Sequence, residues 1–168
     1  WVDRRRNMQR VRCTCLSEDG SLALAAFQCD PTNGGELVQY RAIPDDSDNV
    51  WEASTIEVPA IGYVVDLSAS ADLCMVMIVS SSITAPHHSI HALDGKSGLI
   101  MRTWTTSQLA YTAVDSTGTY VTISYREQFC IYHRNENTGL LSQSPIYVVD
   151  VTEICRHSGF CVINTEGT

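Results

Sequence analysis

The sequence predicts an all-β protein made of a repeated four-stranded unit, and three observations predict it. Short segments alternate apolar and polar residues, or are rich in β-branched and aromatic side chains, as half-buried strands are. No stretch of a dozen residues carries an apolar stripe of helical period, so helices are not expected. A strand–turn–strand pattern recurs four times within 168 residues, and self-similarity over tens of residues marks a repeat architecture. At 44% apolar and 18% charged residues, the chain can pack a core and carries too little charge for wholesale disorder.

The elements follow in order along the chain. Residues 1–10 read as a basic N-terminal segment. Asp3 with Arg4, Arg5, Arg6, Arg10 and Arg12 carries +4 in a chain of net charge −8. Val11-Arg12-Cys13-Thr14-Cys15-Leu16 alternates apolar and polar residues and runs into the turn Ser17-Glu18-Asp19-Gly20. Ser21 to Phe27 is mostly apolar, and its short length between turns favours a buried strand over a helical turn. Tyr63–Leu67, Leu73–Val79, Tyr120–Tyr125, Phe129–His133 and Ile146–Val149 complete the clearest strand signals.

Four segments align with one another: 11–27, 62–79, 110–125 and 154–163. Each has a strand, a tight polar turn and a second strand. The turns are Ser17-Glu18-Asp19-Gly20, Ser68-Ala69-Ser70-Ala71, Asp115-Ser116-Thr117-Gly118 and Arg156-His157-Ser158-Gly159. On this alignment the turns end at residues 20, 71, 118 and 159, so the steps shorten along the chain. A second turn follows a third strand in two copies, at Asp94-Gly95-Lys96-Ser97-Gly98-Leu99 and Asn135-Glu136-Asn137-Thr138-Gly139-Leu140. The excess length falls in Ser80–Ser89, in Asp30–Gly35 and in the acidic turn Pro44–Asn49, all read as loop insertions.

Each copy offers four short strands over roughly 40–50 residues, the size of one propeller blade. On these residues the chain resembles the WD-repeat family of β-propellers. Residues 68–105 carry the family's order, with Ile90-His91-Ala92-Leu93-Asp94 followed by Ser97-Gly98 and a last strand. Leu93-Asp94 stands where the family usually has Trp-Asp, and His133-Arg134 replaces it in the next copy. The family's Gly-His pair is missing, so the hydrogen-bonded network built on it is not expected. Lactonase-like and quinoprotein-like propellers share the Gly-Leu turn, and an open β-sandwich is the remaining all-β alternative.

The resemblance implies about three four-stranded blades plus the start of a fourth. Residues 11–168 form a partial β-propeller, with blades near 11–58, 62–105 and 110–149 and the start of the next at 151–168. Three blades leave bare faces, because each repeat buries its core against its neighbours. The expected partners are therefore other protein subunits or the remainder of the same propeller. The chain opens on Trp1, which fits a processed or partial chain.

Composition excludes several functions. Net charge −8 makes a poor general nucleic-acid binder; RNA contact through Arg4, Arg5 and Arg6 is the local exception, against the commoner meaning of a solvated basic end. No apolar run approaches the roughly 18 residues a membrane helix needs, and no signal peptide is visible. The seven cysteines include no C-x-x-C pair and mostly sit in apolar runs, as buried thiols in a reducing compartment do. An intracellular location, cytoplasmic or nuclear, follows.

Candidate chemistry is sparse. His87, His88 and His91 form the densest potential metal set, but no cysteine is near and a solvated loop is the simpler reading. Cys13 and Cys15 share a strand face, as core-facing residues do. Asp45, Asp46 and Asp48 lack the glycine and distant glutamate of a calcium loop. There is no G-x-S-x-G elbow, no phosphate loop and no dinucleotide fingerprint. No catalytic residue, cofactor or metal is assigned. The expected function is a non-catalytic protein-interaction scaffold, with Arg4, Arg5, Arg6, Trp51, Trp104 and Tyr111 as interaction candidates. The alternative is a lactonase-like propeller hydrolase with its site in the central channel.

Overall fold

The β-branched and aromatic segments pair with their chain neighbours into three four-stranded antiparallel sheets. The structure is a computed structural model that describes residues 10–28, 35–43, 50–58, 62–82, 86–125 and 128–150. Blade 1 contains β1 (Arg10–Leu16), β2 (Leu22–Gln28), β3 (Gly35–Ile43) and β4 (Val50–Ile56). Blade 2 contains β5 (Tyr63–Ala69), β6 (Val76–Ser81), β7 (His88–Leu93) and β8 (Ile100–Thr106). Blade 3 contains β9 (Tyr111–Val114), β10 (Tyr120–Ser124), β11 (Gln128–His133) and β12 (Tyr147–Asp150). In each blade the spatial order is the chain order. There is no helix among the described residues, and so none long and apolar enough to cross a membrane.

The all-β class and the three blades agree with the sequence reading. The basic segment with Arg4, Arg5 and Arg6, the acidic turn at 45–48 and the start of a fourth blade at 151–168 lie outside the described residues.

Strand β1 touches β5, and β5 touches β9. First strands therefore lie on the inner side, and β4, β8 and β12 on the outer. Strand pairing fixes which side chains face which neighbour, because directly paired residues share a face. Leu22, Leu24, Ala26 and Leu37 of blade 1 face blade 2, where they meet Val64, Leu73, Val76, Ile78 and Leu93. Met77, Val79, Ile90 and Ala92 face the opposite way, onto Val121, Ile123, Cys130 and Tyr132 of blade 3. Leu24, Leu37, Ile78 and Ile90 are fully buried, each contributing about 1.5–3 kcal/mol of hydrophobic stabilisation. The central blade is thus apolar on both faces, and its second and third strands read as continuous apolar runs.

The turns repeat more closely than their sequences do. In blade 1 the Ser17 hydroxyl donates to Asp19 (2.6 Å) and accepts from the Leu22 amide (3.0 Å), while Asp19 accepts from the Ser21 amide (3.0 Å). In blade 2 Ser70 donates to Asp72 (2.8 Å) and accepts from the Met75 amide (3.0 Å), and Asp72 accepts from the Cys74 amide (2.9 Å). Asp115 takes the serine's place in blade 3, accepting from the Tyr120 amide at 2.7 Å.

These equivalences correct the sequence alignment. The turn of blade 2 is Ser70-Ala71-Asp72-Leu73, two residues later than the expected Ser68-Ala69-Ser70-Ala71. Left-handed backbone occurs at Gly20 (φ 69°), Gly118 (φ 71°) and Leu73 (φ 57°). Leucine obscures the alignment because it occupies a conformation usually left to glycine, at roughly 1–2 kcal/mol. Its side chain is fully buried between blades 1 and 2, which offsets that strain.

The second turn repeats as expected. Asp94 and Asn135 each accept amides two and three residues on, and Gly98 (φ 73°) and Gly139 (φ 69°) close the two turns.

Candidate interaction surface

In an antiparallel four-stranded blade the first and second turns emerge at the same end, since the first and third strands run in parallel directions. The turns after β1, β5, β7, β9 and β11 therefore share one end of the molecule. Backbone hydrogen bonds join the first turns directly: the Glu18 amide donates to the Ala71 carbonyl (2.7 Å), and the Ala71 amide to the Ser116 carbonyl (2.9 Å). A backbone ladder therefore crosses all three blades. A side-chain link supports it, as the buried Gln39 of β3 donates to the Gly95 carbonyl (2.5 Å) across the first blade interface.

The turns enclose a groove of about 810 Å³, lined by Glu18, Asp19, Arg41, Asp72, Lys96 and Thr117 among others. Its charges are mixed. Arg41 and Lys96 stand with three carboxylates, and the only lysine of the chain lies 3.8 Å from Asp72 with both side chains about half exposed. Hydrogen bonds from Ser17 and Ser21, with the Lys96 charge nearby, bring Asp19 down to about 2. Partial burial pushes Asp72 up, but hydrogen bonds from Cys74 and Ser70 and the Lys96 charge outweigh it, so Asp72 also lies low. Both carboxylates are ionised at neutral pH. The groove presents opposed fixed charges to a polar or zwitterionic surface.

Sequence reasoning missed this groove. Its members come from turns about fifty residues apart, although Glu18, Asp72 and Lys96 all sit in recurring turns.

The aromatic candidates do not gather on one surface. Trp51, near the start of β4, pairs with Ala42 on the face of blade 1 turned away from blade 2, beside Tyr40 and Ala53. Trp104, on β8, packs between blades 2 and 3, with its ring 5.4 Å from that of Tyr132 and Arg102 4.8 Å above it. Arg102 also donates to the carbonyls of Ser142 and Gln143 in blade 3 (2.6 Å to the latter). Tyr111 opens β9 on the face of blade 3 turned away from blade 2.

The histidines differ from the solvated-loop expectation. His88 and His91 lie on β7, because that strand begins within the stretch read as an insertion. His88 Nδ1 is 2.8 Å from the Ser81 hydroxyl. His91 is buried, with Nδ1 at 3.0 Å from the Thr103 hydroxyl and no hydrogen bond at Nε2 among the described residues. Burial lowers its pKa, so the ring is held neutral. No group of three His, Cys, Asp or Glu suited to a metal occurs among the described residues.

Cys13, Cys15 and Cys74 are half-buried free thiols and Cys130 a buried one. Burial raises the pKa of all four, that of Cys15 to about 11, which leaves poor nucleophiles.

The arrangement is similar to the solved Dos1 propeller, at 13% identity and TM-score 0.55 over 84% of this chain and 35% of that one. It is also similar to the β-propeller domain of the trilobed protease from Pyrococcus furiosus, at 8% identity and TM-score 0.53 over 89% of this chain and 45% of that one. The fold is that of a β-propeller, and this chain spans well under two thirds of the length of either propeller. No family model matches the chain, and no curated protein matches it.

Proposed function

We propose that this chain is part of a WD-repeat-like propeller that serves as a non-catalytic protein-interaction scaffold in an intracellular assembly. The observation that carries the reading is the groove at the turn-bearing end, with Arg41 and Lys96 opposed to Glu18, Asp19 and Asp72. Opposed charges on rigid turns favour selectivity and orientation in docking, more than raw affinity. The Ser17 and Ser70 hydroxyls and the Asp19, Asp72 and Asp115 carboxylates are occupied in holding their own turns, which suits a binding platform better than a reacting centre. Partners are other protein subunits, met at this end.

The test is capture of partners from the host cell by the native protein and by an Arg41→Glu/Lys96→Glu variant whose circular dichroism is unchanged. The variant is expected to lose a discrete partner set by about tenfold or more, near 1.4 kcal/mol. Partners indifferent to the reversal would overturn the groove as the docking surface. Turnover of a lactone or ester panel by the native protein would overturn the non-catalytic reading in favour of a propeller hydrolase.

A further inference from the structure

We propose that Arg12 is a preset carboxylate anchor, by which the end of the molecule opposite the turns docks an acidic segment of a partner protein. This end lies away from the groove, and the inference does not rest on the scaffold reading.

The first ground is how the side chain is held. Arg12 lies near the start of β1, Gln28 closes β2 and Tyr63 opens β5, so all three meet at the end remote from the first turns. The Arg12 guanidinium carbon stands 4.1 Å from the centre of the Tyr63 ring, and its Nε donates to Gln28 Oε1 at 2.8 Å. Stacking and the Nε bond together fix the plane of the group. They leave its two terminal nitrogens, the fork that grips a carboxylate bidentately, without a hydrogen-bond partner among the described residues. Much of the ordering cost of binding is thereby met before a ligand arrives.

The second ground is that packing does not call for an arginine here. The pairing of β1 with β2 slips between Val11 and Cys13, and that of β5 with β6 between Val64 and Asp66. Arg12 and Val65 are therefore the bulged residues of the two inner strands, at the same distance before the first-turn serines Ser17 and Ser70. A bulge re-aims the side chain it carries. Val65 uses it to pack against the core between blades 2 and 3, whereas Arg12 is exposed.

The third ground is the company Arg12 keeps. Arg10, on the same strand, adds a second exposed positive charge. Asp66, the carboxylate of the neighbouring inner strand, is engaged by Thr112, and no ion pair to Arg12 occurs among the described residues. Val11 is 53% and Tyr63 37% exposed beside it, and arginine with tyrosine is the composition of an interface anchor. The occupant is therefore a protein segment that carries a carboxylate next to apolar side chains. A long polyanion is disfavoured by the chain's net charge of −8.

The experiment titrates the protein at its natural length against a fluorescein-labelled, end-capped tetraglutamate peptide at low salt, read by fluorescence anisotropy. Saturable binding is expected, and none to tetraglutamine. Arg12→Lys keeps the charge but loses the fork, so it is expected to weaken binding about fivefold or more with circular dichroism unchanged. Tyr63→Leu, which leaves Arg12 in place but unstacked, should weaken it several-fold. Arg12→Lys binding as tightly as the native protein would overturn the anchor. A phosphoserine peptide of equal charge, bound more tightly than tetraglutamate and with the same dependence on Arg12, would overturn the carboxylate assignment in favour of phosphate.

Discussion

The Asp66 carboxylate, on the inner strand of blade 2, accepts both the amide and the hydroxyl of Thr112 on the inner strand of blade 3, at 2.7 and 3.0 Å. The Ser68 hydroxyl completes the cluster, 2.9 Å from the Thr112 hydroxyl. Thr112 is buried, so its amide has no ready replacement in water. Asp66→Ala is expected to cost about 1–3 kcal/mol, the usual penalty for an unpaired buried donor. Asp66→Asn retains an acceptor oxygen and should cost less. Urea denaturation of both variants checks the order, and equal losses would refute the role given to the acceptor.

Gly95 is a steric requirement of the first blade interface. A Cβ there would lie 2.7 Å from the Leu73 carbonyl oxygen, 2.7 Å from Val76 Cγ2 and 3.1 Å from Leu24 Cδ1. The Gly95 amide also donates to that same carbonyl at 3.0 Å, so the backbone cannot move aside cheaply. Gly95→Ala should destabilise by about 3 kcal/mol, at the upper end for overpacking. Gly20→Ala is the control: nothing lies within 4 Å of its Cβ, and its φ of 69° leaves only backbone strain, roughly 1–2 kcal/mol. Chemical denaturation should place Gly95→Ala below Gly20→Ala.

Leu73 sets conformational strain against burial. Leu73→Gly relieves roughly 1–2 kcal/mol of left-handed strain and removes a fully buried side chain worth about 2–5 kcal/mol. A net loss of stability is expected. A variant more stable than the native chain in thermal melts would show that the side chain contributes little to the first interface.

His91 makes stability depend on pH in mildly acidic solution. Burial lowers its folded pKa below the ordinary 6.5, so the unfolded chain takes up the proton first. Its contribution is complete above about pH 6.5 and falls as pH drops towards the folded value. The slope cannot exceed about 1.4 kcal/mol per pH unit for one proton. His91→Gln should flatten this limb in urea titrations between pH 7 and 5. An unchanged slope would assign the acid sensitivity elsewhere.

The first hairpins of blades 1 and 3 were legible because each is local: strand pattern and turn glycine agree within twenty residues, whereas β3 and β4 of blade 1 were not singled out as strands. The Asp94 and Asn135 turns aligned residue for residue for the same reason. The first turn of blade 2 did not, since its left-handed position is filled by leucine, kept there by packing with Leu24 and Val76 that no local signal reports. His91 carried no mark of burial either; its register beside Ile78 puts it on the face of blade 2 turned to blade 1. The groove was hidden for a related reason, since a surface made by turns from successive blades exists only after the blades stack.

The ladder from Glu18 through Ala71 to Ser116 uses peptide groups alone. An acidic, an aliphatic and a hydroxyl side chain occupy the same place in it without altering the link. Mutation can therefore rewrite the outward chemistry of this end one residue at a time while the blades stay in step. Substitution at these side chains need not disturb the stacking of the three blades.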